Sequence, residues 1–345
     1  MLATFARNLF VSSPKPSRSF RMPLLRSLLA PALLLAATAS SPAADMAQPR
    51  QVVVISFDGA QHAAQWRRSR ALAERTGARF TYFLSCVYLL TQENRAAYQG
   101  PAHRPGRSNV GFGGSKEEVA ERLGEIWTAR QEGHEIASHV CGHFDGKDWS
   151  KADWTSEFAA FARILRDAWT INGIDGEPRG WRGFAEKGIR GFRAPYLSAT
   201  EAMYAALADA GMEYDASGVS KGPAMPPRIG GLRRFSLPMV PEGPSARPVI
   251  AMDYNLFARH SNAEETEDRQ GRFEDRAYRA FKAAFDEQHD GRRIPLQIGY
   301  HFTLMNGGAY WRALERFADE VCIKPDVDCI SYEELDRRLG EAGDG

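Results

Sequence analysis

The chain has 345 residues, 43% of them hydrophobic and 25% charged, an ordinary globular composition with ample length for one large core. Of its 44 basic residues, five (Arg7, Lys15, Arg18, Arg21, Arg26) fall in residues 1–44, which hold no acids, so the remainder carries 39 basic against 43 acidic residues, a net −4. Nucleic-acid binding wants a basic face, and this balance excludes it as a leading reading.

At the N-terminus, Met22-Pro23-Leu24-Leu25-Arg26 leads into an apolar run from Leu28 to Ala39, followed by Ser41-Pro42-Ala43. A basic segment, a short apolar segment and small residues read as a secretory signal peptide over 1–44, with Met22 opening a better-proportioned signal than Met1. The run is too short and too abruptly ended for a spanning helix, an uncleaved anchor being the alternative. The expectation is an exported chain, periplasmic or secreted, with no membrane span after cleavage and one domain over 45–345.

Strand-like runs then alternate with helical patterns. The strand candidates are Val52 to Phe57, Phe80 to Leu84, His134 to Ser138, Arg233 to Leu237, Val249 to Met252 and Leu296 to Tyr300. Ala63 to Arg75 reads as a helix. Glu117 to Glu132 follows Ser115-x-x-Glu118, which has capping-box form, and Ser198-x-x-Glu201 and Ser331-x-x-Glu334 repeat it. Trp154, Phe158, Phe161, Leu165 and Trp169 recur at helical spacing and read as core, as do Trp311, Leu314, Ala318 and Val321. Such alternation predicts a mostly parallel sheet covered by helices, open or closed into a barrel. Gln99 to Gly114 and Ser217 to Arg233 read as long loops, candidates for the walls of a substrate groove.

Four cysteines remain after export, an even number that suggests disulfides in an oxidising compartment. Cys322 and Cys329 flank a short loop and suit a local bridge. A Cys86–Cys141 bridge would pin the loop carrying His139 and His143; the alternative is Cys141 as a soft zinc ligand.

Chemistry-bearing residues collect after strands. His139 and His143 stand four apart, close enough to share a cation if the segment coils. Asp58 closes the first strand, where a parallel α/β fold builds its site. Arg193-Ala194-Pro195-Tyr196 offers a guanidinium that could hold an aspartate ionised and a proline-stiffened turn that could present a backbone N–H. Asp215 and His301 complete the set. Trp149, close after His143, is the expected groove residue, while His62, His103, His134, His260 and His289 are assigned no role.

Taken in order, these pieces resemble the polysaccharide deacetylase family (the NodB homology domain, carbohydrate esterase family 4). Ser56-Phe57-Asp58 looks like its first motif, His139 and His143 its metal-binding H-x-x-x-H, Arg193-Ala194-Pro195-Tyr196 its arginine-x-proline motif, Asp215-Ala216-Ser217 its aspartate-x-serine, and His301 its terminal histidine. Gly191 to Ser217 looks especially like the chitin-deacetylase-like branch. The resemblance implies a single distorted (β/α) barrel and a metal-dependent removal of N-acetyl groups from a chitin- or peptidoglycan-like glycan. It implies one divalent ion, zinc being the expectation, on Asp58, His139 and His143. It also implies a backbone N–H near Tyr196 for the oxyanion and His301, tuned by Asp215, as general acid.

The family's first motif carries two aspartates, and here the second position is Gly59. Three arrangements follow: Asp58 ligates the metal; Asp58 is the base with Asp145 or a water completing the shell; or the site is degenerate. The competing functions are a non-catalytic glycan-binding relative and a metal-free hydrolase of small cyclic amides.

Overall fold

A computed structural model describes residues 49–343; the expected signal peptide lies outside the described residues. The first strand, β1 (Gln51–Gly59), is the spine of the sheet. Its β-branched run is buried on both sides, as parallel strands covered by helices must be. Alternation divides it: Val53, Ile55 and Phe57 join the large core beneath the surrounding helices, while Val54 joins a second cluster. Ser56 and Asp58 share the face of Val54, because side chains alternate at a period of two.

Around β1 the strands follow in chain order, with α1 (Ala63–Thr76), β2 (Thr81–Leu84), α2 (Lys116–Gln131), β3 (Glu135–Ser138), α3 (Lys151–Ile171), α4 (Trp181–Lys187) and β4 (Gly191–Phe192). Next come α5 (Glu201–Asp209), β5 (Tyr214–Ser220), β6 (Arg228–Ile229), β7 (Leu232–Glu242) and β8 (Arg247–Ile250). The remainder is α6 (Asp253–Ser261), α7 (Arg272–His289), β9 (Leu296–His301), α8 (Met305–Val321), β10 (Val327–Cys329) and α9 (Tyr332–Glu341). Parallel pairing runs β1–β2–β3–β4–β5–β7, and β9 lies along the other edge of β1 with Asp58 beside His301 in register.

The ring closes through one bridge. Ala251 N donates to Pro238 O of β7 at 2.8 Å, and Gly299 N of β9 donates to Ala251 O at 2.8 Å. Gly299 gives the Met252 side chain its room at this bridge, since a Cβ there would lie 2.7 Å from Met252 Cε and push that methyl aside. The expected distorted (β/α) barrel is therefore the observed fold.

Inside the ring, Val54, Phe83, Ala137, Tyr214, Ala216 and Phe235 meet Ile330, Tyr332 and Leu335, so the start of α9 plugs the barrel from below. Several local expectations hold. Ser115 and Glu118 form a reciprocal capping box at α2, Ser331 caps α9, and Trp154 and Trp169 are buried. Others change. The cap of α5 is Thr200, whose side chain accepts from Met203 N, rather than Ser198. The expected loop Ser217 to Arg233 is shortened at both ends, because β5 runs on to Ser220 and β6 pairs antiparallel with β7.

Both disulfides form, Cys86–Cys141 and Cys322–Cys329, so Cys141 is not a zinc ligand. Among the described residues no helix is long and apolar enough to cross a membrane.

One buried carboxyl gives a test of the fold. Glu157 of α3 accepts from the Tyr98 hydroxyl, and burial pushes its pKa up to about 7. A raised carboxyl binds its proton more tightly folded than unfolded, so its contribution is fully present below its ordinary value of 4.5 and is lost as pH rises through about 7. Melting temperatures at pH 5 and pH 8 should show the wild type losing more stability over that interval than Glu157→Gln.

Candidate active site

The mouth of the barrel, at the C-terminal ends of the strands, brings Asp58, His139, His143, Arg193 and His301 together. Arg193 enters the interior immediately after β4 and is fully buried. Its Nη1 donates to Asp58 Oδ1 at 2.8 Å and to Ser56 Oγ at 2.9 Å, its Nε to Ala216 O at 3.0 Å, and its Nη2 to the Tyr332 hydroxyl at 3.0 Å. The guanidinium lies over the faces of Phe83 and Tyr332, 4.3 and 5.6 Å from the ring centres. Burial alone would raise the Asp58 pKa, but the Arg193 guanidinium against it, with His301 nearby, holds it below the usual carboxylate range.

The backbone of Arg193 acts as well. Its carbonyl accepts from His139 Nδ1 at 2.7 Å, which fixes the tautomer and leaves the Nε2 lone pair free. That Nε2 is buried without a hydrogen-bond partner, and so is Nδ1 of His143; the two rings are 5.1 Å apart. Burial pushes His139 down to about 3 and lowers His143 also, so both are neutral and able to ligate.

The histidines converge differently from the sequence expectation. Residues 139–143 form no helix; Val140 and His143 instead adopt left-handed φ of 47° and 53°. The loop is fastened by the Cys86–Cys141 disulfide, by Gly142 N on the Tyr98 hydroxyl, and by Asn109, whose backbone N and side-chain amide bond Gly142 O and His143 O. Gly142 is needed here, since a Cβ would lie 2.5 Å from the Tyr98 hydroxyl.

His301 is the other half of the site. Its Nδ1 is 2.6 Å from Asp253 Oδ1 and its backbone N donates to Asp253 Oδ2 at 2.8 Å. Burial opposes its charge, but Asp253 outweighs that and raises its pKa. The expected partner, Asp215, is not involved: it lies inside β5 and accepts from Ser217 Oγ and Ser217 N. Asp253 was missed, although it directly follows the predicted strand Val249 to Met252 and the strand-end rule applied elsewhere would have found it.

Tyr196 sits beside His143, ring centres 4.9 Å apart, in a left-handed turn (φ 57°) with its side chain 59% exposed. Tyr254, also unforeseen, stands 50% exposed near His301. Trp149 is half-buried and packs edge-on against Trp154 at 4.8 Å, as a satellite of the core.

The donors fit a cation only in part. Two free imidazole nitrogens suit an ion that takes its other ligands from water and substrate. Among the described residues, however, no group of three or more His, Cys, Asp or Glu side chains could hold a metal ion, so Asp58, His139 and His143 do not form the expected three-ligand set. Asp58 is held by Arg193, Gly59 brings no carboxylate, and Asp145 is exposed and accepts from Ser198 Oγ.

No family model matches the sequence, and no curated protein does. Among solved structures the chain is similar to one named a polysaccharide deacetylase from Mycobacterium smegmatis, at 14% identity over 86% of this chain and 92% of that one, with a TM-score of 0.53. A second, named likewise and from Pseudomonas aeruginosa PAO1, is 13% identical over 85% and 91%, with a TM-score of 0.50. At such identities the likeness is one of fold, and the barrel is that of the polysaccharide deacetylases.

Removing one member of the buried pair should be costly. Arg193→Met strands an ionised Asp58 and should destabilise the fold by roughly 3–5 kcal/mol in chemical denaturation. Adding Asp58→Asn should recover part of that loss, and a double mutant no better than Arg193→Met would contradict the pairing.

Proposed function

We propose that this chain is an exported hydrolase that removes N-acetyl groups from an N-acetylated polysaccharide or oligosaccharide, chitin- or peptidoglycan-like. The observation that carries the reading is the convergence of an Arg193-held Asp58, two unpartnered imidazole nitrogens and an Asp253–His301 pair at the mouth of a polysaccharide-deacetylase barrel. Export rests on the sequence of residues 1–44, and the glycan class on the motifs from Ser56 to His301.

His139 Nε2 and His143 Nδ1 would hold one divalent ion, zinc being the expectation, which when bound polarises the acetyl carbonyl and acidifies water. Asp58 is then the base: Arg193 keeps it ionised and ready to accept a proton from the attacking water. Of the Pro195–Tyr196 turn only Tyr196 has a backbone N–H, and it would be the donor to the developing oxyanion. His301, charged through Asp253, delivers its proton to the departing amine. The exposed ring of Tyr196 offers a surface for a sugar.

Gly59 favours one competing reading, a glycan-binding relative without turnover, since it removes a carboxylate that the family's first motif carries. Two measurements separate the readings. Elemental mass spectrometry should find about one divalent ion per chain, lost in His139→Ala, and acetate should be released from N-acetylated glycan oligomers. Glycan binding without metal or acetate would overturn the enzymatic reading. In the active enzyme His301 must be protonated, so activity falls as pH rises through its raised pKa. Asp253→Asn removes the group that raises it, so the alkaline limb of the pH–rate profile should move to lower pH.

A further inference from the structure

Asp215 is a buried carboxylate without the role its position in the motif suggested. It has no solvent exposure, its Oδ2 has no hydrogen-bond partner, and its Oδ1 takes the Ser217 hydroxyl at 2.5 Å and the Ser217 N–H at 3.2 Å. With its hydroxyl proton committed to Asp215, Ser217 Oγ presents lone pairs, and Ala194 N donates to it at 2.8 Å. Between them, Ala216 O accepts Arg193 Nε at 3.0 Å. Two consecutive residues of β5, Ala216 and Ser217, therefore hold two consecutive residues of the segment after β4, and Asp215 holds Ser217.

What they grip is strained. Ala194 O accepts Leu197 N at 3.0 Å, closing a turn in which both Tyr196 and Leu197 have left-handed φ, 57° and 56°. A bulky residue holds that conformation only where its surroundings over-determine it. Just upstream, the Arg193 carbonyl orients His139 and its guanidinium orients Asp58.

We propose that Asp215 and Ser217 are positioning residues for the Arg193–Tyr196 turn: Asp215 fixes the rotor of Ser217, and Ser217 fixes Ala194 and so the backbone that faces the reacting carbonyl. The catalytic consequence rests on the hydrolase reading above; the brace itself does not.

The test uses the whole mature chain carrying Ser217→Ala, Ser217→Thr or Asp215→Asn, beside Asp253→Asn. Ser217→Ala should lower kcat roughly 10- to 100-fold, because small misplacements of reacting groups are costly, with KM nearly unchanged. Ser217→Thr, which keeps the hydroxyl, should restore most of it, and Asp215→Asn should lower kcat less than Ser217→Ala does. None of these should move the alkaline limb of the pH profile, whereas Asp253→Asn should. Hydrogen–deuterium exchange should quicken over residues 193–198 in Ser217→Ala and stay at the wild-type rate in β1 and β9. A shifted alkaline limb in Asp215→Asn would overturn the proposal in favour of a tuning role for Asp215. So would a kcat for Ser217→Ala within twofold of wild type, or unchanged exchange over 193–198. If the wild type releases no acetate, the hydrolase reading fails, and the exchange data alone decide the brace.

Discussion

A guanidinium with no exposure to water, inside a barrel, is tolerable only if every donor it carries is met and a counter-charge lies against it. Arg193 comes close to that condition: each of its three guanidinium nitrogens has a partner, four hydrogen bonds in all to groups of β1, β5 and α9, and two aromatic faces cover the plane. Each partner is thereby placed. Asp58 is ionised because the cation is there, Tyr332 plugs the barrel with its hydroxyl turned inward, and the Arg193 carbonyl settles which nitrogen of His139 carries the proton. One buried charge orders the Asp58 side of the mouth and the His139 side together.

The residues that converge were legible where local pattern decides their place. The alternation in β1 sends Phe57 outward into an aromatic cluster with Tyr82 and Trp311, and so sends Asp58 inward. The serine–glutamate caps located the starts of α2 and α9 because those hydrogen bonds span three residues. Non-local pairing was not legible. Asp215 and Asp253 each stand next to or within a strand, and only closure of the ring at Gly299 decides which one reaches His301. Likewise, spacing alone suggested a helical turn for His139 and His143, whereas a disulfide to Cys86 and two bonds from Asn109 shape that segment as a loop.

Five residues other than glycine at the mouth, Ala60, Val140, His143, Tyr196 and Leu197, adopt left-handed backbone. Such conformations cost roughly 1–3 kcal/mol each and persist where neighbours leave no alternative. Here the neighbours are identifiable, a disulfide and Asn109 on the histidine loop and the Asp215–Ser217 pair on the turn after β4. The mouth is therefore held in advance of any ligand, and its geometry belongs to the scaffold.

The reach of Arg193 along the chain carries a consequence for how the molecule comes into being. Its hydrogen bonds to Ser56 and Tyr332 span 137 and 139 residues. Contacts so distant in sequence form only after long loops have closed, which makes folding slow and leaves no segment able to build the site by itself. During synthesis, Asp58 and Arg193 both exist long before Tyr332 arrives, and the guanidinium has to wait, hydrated, outside an unclosed barrel. The arrangement of the mouth and completion of the fold thus arrive in a single late event.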